Sequence, residues 1–352
     1  MSKFLSKKYD SLAPYTPGEQ PKERVYIKLN TNESPFPPSS AAVEAAAREA
    51  ERLMLYSDPE CRDLVAEMAD SFGVDGRSVI MTNGSDEVLN FAFMAYCDEN
   101  TPAVFADITY GFYKVFAAIN NLPSRTIPLK EDFSIDIEDY VSTEGTVFIA
   151  NPNAPTGILL PLSDIEKLLK SNPNRIVVID EAYIDFGGES AVKLTKKYKN
   201  LLVTGTFSKS RSMAGARLGY GIACPEIIED LTRIRYSTNP YNVNRMTMAA
   251  GIGALRDRDY FTENCKRIIK NREWTKEKLS SLGFTFTDSR ANFIFAKSDE
   301  IDGKTLYLAL KEKGVLVRHF DAPRISQYNR ITIGNEEEMQ ILVDKIKEIL
   351  NK

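Results

Sequence analysis

The sequence predicts an α/β protein: a large domain with a mostly parallel central sheet flanked by helices, followed by a smaller α+β domain. Three observations carry this. Short apolar runs alternate with helical patterns from Val79 to Thr204, the sequence form of successive βαβ units. Ile176-Val177-Val178-Ile179 is apolar at every position, as a strand covered on both faces must be. A chain of 352 residues is long for one domain and suits a large unit joined to a smaller one.

Composition excludes several classes. Hydrophobic residues make up 43% and charged residues 27%, an ordinary globular balance. A net charge of −4, from 45 basic and 49 acidic residues, leaves no basic excess for nucleic acid. Cys61, Cys97, Cys224 and Cys265 are far apart and there is one histidine. Neither a zinc site nor a disulfide scaffold is indicated, and no metal is expected. Met1 to Pro14 has no apolar core, so it does not read as a signal peptide. No apolar run approaches the roughly 18 residues of a membrane span. The expectation is a cytoplasmic protein with neither membrane nor nucleic acid as partner.

In chain order, residues 1–38 form a proline-rich arm with one strand-like run, Val25 to Leu29. Such an arm seldom packs a core alone and is expected to lie across a neighbour. Asn30-Thr31-Asn32-Glu33-Ser34-Pro35 reads as a polar turn. Ser39 and Ser40 then cap a helix with Val43, Ala46, Ala47, Ala50 and Leu53 on one face. A second helix carries Leu64, Val65, Met68 and Phe72 and stops at Gly73. The large domain is expected over 39–255 and the small one over 256–352.

Val79 to Thr82 is a short strand, and Gly84-Ser85-Asp86-Glu87 turns it into a helix. Free backbone N–H groups at such a junction make an anion site, and the acidic residues suit the helix dipole. A plain capped helix explains the motif equally well on its own. The next strand, Ala103 to Ala106, leads to Tyr110, suited to stack on a flat ring, or equally to a core role. Val147 to Ala150 runs into Asn151-Pro152-Asn153-Ala154-Pro155-Thr156-Gly157, a loop stiffened by two prolines.

Two strand ends hold the chemistry. Ile176 to Ile179 ends in Asp180-Glu181-Ala182-Tyr183, a carboxylate where open α/β sheets bind ligands. Buried there, Asp180 needs a cation. Leu201 to Thr204 leads to Thr206-Phe207-Ser208-Lys209-Ser210. A Ser-Lys pair in isolation is ordinary surface loop, but a lysine delivered by a strand end is placed to condense with a carbonyl. Thr206, Ser208 and Arg217 add two hydroxyls and a guanidinium for a phosphate. From Phe284 onward, strands and helices alternate again, ending in a helix from Glu336.

An imine-forming lysine, a carboxylate for a pyridinium nitrogen and a phosphate cradle are what pyridoxal 5′-phosphate requires. Over nearly its whole length the sequence resembles the fold-type I pyridoxal phosphate aminotransferases, and within them the histidinol-phosphate aminotransferase branch. The resemblance rests on Leu-Asn-Thr-Asn-Glu-Ser-Pro at 29–35, Gly-Ser-Asp-Glu at 84–87, Thr-Tyr-Gly at 109–111 and Pro-Thr-Gly at 155–157. Asp-Glu-Ala-Tyr at 180–183, Thr-Phe-Ser-Lys at 206–209, Ala-Gly-Ala-Arg-Leu-Gly-Tyr at 214–220, Pro-Tyr-Asn-Val-Asn at 240–244 and Arg-Ile-Thr-Ile-Gly at 330–334 complete it.

The resemblance implies Lys209, Asp180 and Tyr183 as catalytic residues. It implies Ser85, Asp86, Thr206, Ser208 and Arg217 around the cofactor phosphate, Tyr110 on the ring face, and Asp180 and Tyr183 on ring atoms. Tyr56 would reach the phosphate from a second subunit, making a homodimer with shared active sites. Tyr15, Asn32, Tyr241, Arg318 and Arg330 would line the substrate side, with histidinol phosphate and glutamate as substrates. One position departs from the family: Ala154 stands where asparagine usually precedes Pro-Thr-Gly. Asn153 is the expected substitute, or Tyr183 acts alone. An aromatic aminotransferase and a threonine-phosphate decarboxylase are the alternative activities. A non-catalytic, cofactor-binding regulator would need an added DNA-binding module, for which the sequence offers nothing.

Overall fold

The computed structural model describes residues 2–10 and 12–352; Met1 and Ser11 of the predicted arm lie outside the described residues. The arm contributes β1 (Ile27–Lys28), shorter than the run from which it was predicted. Seven strands then build the central sheet: β2 (Val79–Thr82), β3 (Ala103–Ala106), β4 (Ser124–Ile127), β5 (Thr146–Ala150), β6 (Val177–Asp180), β7 (Leu201–Thr206) and β8 (Gly219–Ile222). Their order in space is β2-β8-β7-β6-β5-β3-β4. All run parallel except β8, which is antiparallel to both neighbours.

Alternation along the central strands explains the layers. Val147, Ile149, Val177, Ile179, Leu201 and Val203 enter one apolar cluster. Phe148, Ala150, Val178 and Leu202 enter a second cluster on the opposite face. Each such side chain contributes about 1.5–3 kcal/mol by leaving water, which is why these strands carry no polar face. Helices cover both sides, as the sequence predicts.

The second sheet contains β9 (Phe284–Phe286), β10 (Phe293–Ser298), β12 (Arg318–His319) and β13 (Asn329–Thr332), in the antiparallel order β12-β13-β10-β9. Between them in sequence, β11 (Val315–Leu316) pairs in parallel with β1. Leu29 joins the apolar cluster of this sheet beside Ile294, Ile331 and Ile346. The arm therefore packs on its own chain. Arg24 donates to the Lys311 and Glu312 carbonyls, and Glu19 meets Tyr307 and Lys311.

One correction concerns the helix Ser40–Ala50. Ala42 is its buried residue, and the helix approaches Gly253 so closely that a Cβ there would strike the Ala41–Ala42 backbone. Val43 and Leu53 of the predicted inner face are instead 53% and 59% exposed.

Candidate active site

Because β8 is antiparallel, the carboxyl ends of β2 and β7 meet its first residue at one sheet edge. Thr82 and Thr206 both pair with Gly219, and a Cβ at Gly219 would collide with the Gly84–Ser85 backbone. The helix Ser85–Tyr96 starts there, with Gly84 at φ 80°. Among the described residues, the amides of Ser85 and Asp86 have no protein acceptor, as the first turn of a helix leaves them. Arg217, itself left-handed at φ 54°, sets its guanidinium over Gly84, where any Cβ would meet Nη2. Arg217 Nη2 lies 3.1 Å from Asp86 Oδ2. Thr206 Oγ1 is 2.9 Å from Ser208 Oγ. Two free amides, two hydroxyls and a guanidinium thus converge on one anion-sized place.

The cradle opens into a cavity of about 710 Å³, within the range of small-molecule sites. Lys209 enters it from the end of β7 and donates to the Thr31 carbonyl at 3.2 Å. Burial, with the Arg330 charge adding, pulls its amine down to about 8. Asp180 stands at the end of β6, accepting from Tyr113 Oη at 3.2 Å and Thr204 Oγ1 at 3.4 Å. Among the described residues it has no cationic partner, and burial lifts its carboxyl to about 6. A buried carboxylate with only neutral donors fits a ligand cation such as a pyridinium. The donor set as a whole fits pyridoxal phosphate.

Tyr183 closes the far wall. Its hydroxyl accepts from Asn32 Nδ2 at 3.0 Å, and burial raises its pKa. Asn32, left-handed at φ 57°, is itself fixed by Thr332 and Asn292. Tyr110 lines the cavity and donates to Asp86 Oδ1 at 2.6 Å. Tyr15, Asn32, Arg318 and Arg330 line the same cavity. Arg318 donates to the Thr16 and Pro17 carbonyls, and Arg330 to the Asn30 carbonyl.

Three predicted residues are not brought in. Asn153 is buried, but its amide is spent on Thr156 Oγ1 within the loop and on Ile108 O and Thr109 Oγ1 of the segment after β3. It does not line the cavity and does not replace the missing asparagine; Ala154 lines it instead. Tyr56 and Tyr241 lie outside this chain's cavity, stacked on each other at 4.6 Å and 79% and 43% exposed. Conversely, Tyr113 and Thr204 hold Asp180 without having been singled out. The signal for Tyr113 was weak: a tyrosine in an apolar helix needs some acceptor.

A family profile for aminotransferase class I and II matches residues 24–346. The chain belongs to that family. As an aminotransferase it is 50% identical to the histidinol-phosphate aminotransferase of Brachyspira hyodysenteriae, over 99% of each chain. It is 47% identical to that of Clostridium acetobutylicum, over 99% of this chain and 100% of the other. The fold matches a solved histidinol-phosphate aminotransferase of Sinorhizobium meliloti in complex with pyridoxal-5′-phosphate, with a TM-score of 0.89. That match covers 100% of this chain and 98% of the other at 23% identity. The aminotransferase is a pyridoxal phosphate enzyme, as its family is. Among the described residues, none of its helices is long and apolar enough to cross a membrane.

Proposed function

We propose that this aminotransferase exchanges an amino group between histidinol phosphate/imidazole-acetol phosphate and glutamate/2-oxoglutarate, working in the cytoplasm. The observation that carries the reading is a second cationic place in the cavity, Arg318 and Arg330, apart from the cradle at Ser85 and Arg217. A phosphorylated or dicarboxylic substrate needs such a place. Names of close relatives support the same substrate. The test is to assay transamination of histidinol phosphate and phenylalanine beside decarboxylation of threonine phosphate. Preference for either of the latter two would overturn the assignment.

In this reading residues 39–255 hold the cofactor, and residues 256–352 supply the substrate arginines. Ser85, Asp86, Thr206, Ser208 and Arg217 hold the phosphate; Tyr110 covers the ring; Asp180 and Tyr183 take its nitrogen and phenolic oxygen. Bound pyridoxal phosphate supplies an aldehyde for the amine and a ring that accepts electrons. Lys209 Nζ, uncharged in part near neutral pH because of its burial, attacks as a nucleophile and later moves the proton at the substrate's α-carbon. Asp180 stays ionised beside the ring nitrogen and keeps a proton there. Tyr15, Asn32 and the two arginines orient the substrate.

The pH dependence has a defined sign. Attack needs neutral Lys209, so capture of pyridoxal phosphate by the apo-protein is expected to speed up as pH rises through about 8. It should slow as pH falls through about 6, where Asp180 takes up a proton. Stopped-flow absorbance across this range measures both limbs. A rate that falls as pH rises from neutrality to about 9 would contradict the lysine assignment.

We also propose a homodimer with shared sites. Val43, Leu53, Met54, Leu55 and Tyr56 form an exposed apolar stretch, Met54 being 80% exposed, of the kind that marks an interface. Arg245 holds this stretch in place, bonding Glu49 and the Tyr56 carbonyl at 2.8 Å each. By two-fold symmetry the partner subunit's Tyr56 meets the phosphate, and the contact is reciprocal. Lys209→Ala and Tyr56→Ala are each expected to be inactive or nearly so. A mixed dimer puts both lesions in one site and leaves the other intact, so equal mixing with free exchange should restore about a quarter of wild-type activity. No recovery after demonstrated subunit exchange, or a fully active monomer, would exclude the shared site.

A further inference from the structure

The two substrate arginines share a neighbour. The guanidinium carbons of Arg318 and Arg330 lie 5.7 and 5.9 Å from the centroid of the Phe320 ring. Among the described residues neither arginine has a carboxylate partner; backbone carbonyls of Thr16, Pro17 and Asn30 take some of their N–H groups. Arg330 Nε is buried with no acceptor at all. Two cations this close to one another repel, and what faces both is an aromatic ring whose quadrupole attracts cations.

Phe320 is held firmly for that task. It packs edge-on against Phe295 at 6.1 Å. Four residues on, Arg324 ties the same loop to the segments that follow β3 and β4. It meets Asp107 Oδ2 at 2.8 Å and the carbonyls of Leu129 and Lys130 at 2.9 and 2.8 Å. The loop, and with it the ring, is fixed by contacts that involve neither arginine.

We propose that Phe320 is a specificity-determining positioning residue. Its ring lets Arg318 and Arg330 converge, so that together they favour a dianionic phosphate ester over a singly charged carboxylate. The inference rests on the phosphorylated-substrate reading above. A monoanion gains less from two convergent cations than a dianion does, so losing the ring should penalise the two substrates unequally.

The test compares Phe320→Leu and Phe320→Tyr with the wild type, each first shown to keep the absorption band of bound cofactor. KM for histidinol phosphate is measured beside phenylalanine, taken as a substrate or competitive inhibitor. For F320L the histidinol phosphate KM should rise about tenfold or more, in line with two partly desolvated cation–π contacts. The phenylalanine constant should move by less than about threefold and kcat by less than about twofold. F320Y keeps the ring and should stay near wild type. If F320L loses the cofactor band, F320M replaces it under the same criteria. Equal rises for both compounds would reduce Phe320 to packing and overturn the proposal, as would no rise at all. A wild type without preference for histidinol phosphate would overturn the substrate assignment itself, a result distinct from either.

Discussion

Lys209→Ala is expected to abolish both the absorption band of the bound cofactor and the transamination it supports. The substitution removes the nucleophile and the group that moves the α-carbon proton, and each is worth about a hundred- to ten-thousand-fold in rate. A loss of at least about ten-thousand-fold should follow. The fold should survive, because Lys209 makes one hydrogen bond, to the Thr31 carbonyl, and an alanine there leaves no buried charge. Absorbance spectra with saturating pyridoxal phosphate, beside circular dichroism, measure both. An unaltered band in Lys209→Ala would place the attachment on another lysine.

Asp180→Asn is expected to separate binding from turnover. The amide keeps the carboxylate's shape: its oxygen still accepts from one of Tyr113 and Thr204, its NH2 donates to the other hydroxyl, and the cradle of Ser85, Thr206, Ser208 and Arg217 is unaltered. What is lost is the negative charge beside the ring nitrogen. Removing one member of a buried charge pair costs about 2–5 kcal/mol, which as a barrier is roughly thirty- to several-thousand-fold in kcat. Cofactor affinity measured by titration should change far less than kcat. Wild-type turnover in this variant would remove the electron-sink role from Asp180.

The parts of this architecture that local chemistry determines are legible in the sequence. β5, β6 and β7 begin as runs apolar on both faces and lead to Asn151, Asp180 and Ser208, so the sheet and its ligand edge follow from pattern alone. β4 does not: Ser124, Arg125 and Thr126 are exposed on an edge strand, and nothing in their order separates them from a loop. The arm's contacts with its own chain are hidden for a related reason. What holds it are Tyr307, Lys311 and Arg318, about three hundred residues away, and no local pattern announces them. Most residues that the family resemblance singles out line one cavity. Asn153 does not line the cavity, because its amide bonds Thr156 within the loop and ties the loop to Ile108 and Thr109 after β3. Tyr113 was hidden because its acceptor lies 67 residues downstream.

The pairing of β1 with β11 interleaves the chain. The arm precedes the central sheet in sequence, yet it is stitched to the second sheet, which comes last. Asn32, Arg318 and Arg330 consequently belong to the second sheet and the arm bonded to it, while Ser85, Asp180, Lys209 and Arg217 follow or join strands of the first. Among the bonds between the two at the catalytic centre are Lys209 to Thr31 and Asn32 to Tyr183. A rocking of the second sheet away from the first would carry the arm with it as a single jaw. The substrate's grips would withdraw together, and the phosphate anchor would be left untouched. Such an enzyme can release one keto product and admit the next keto substrate with its prosthetic group never leaving its berth, which is what a reaction in two halves demands.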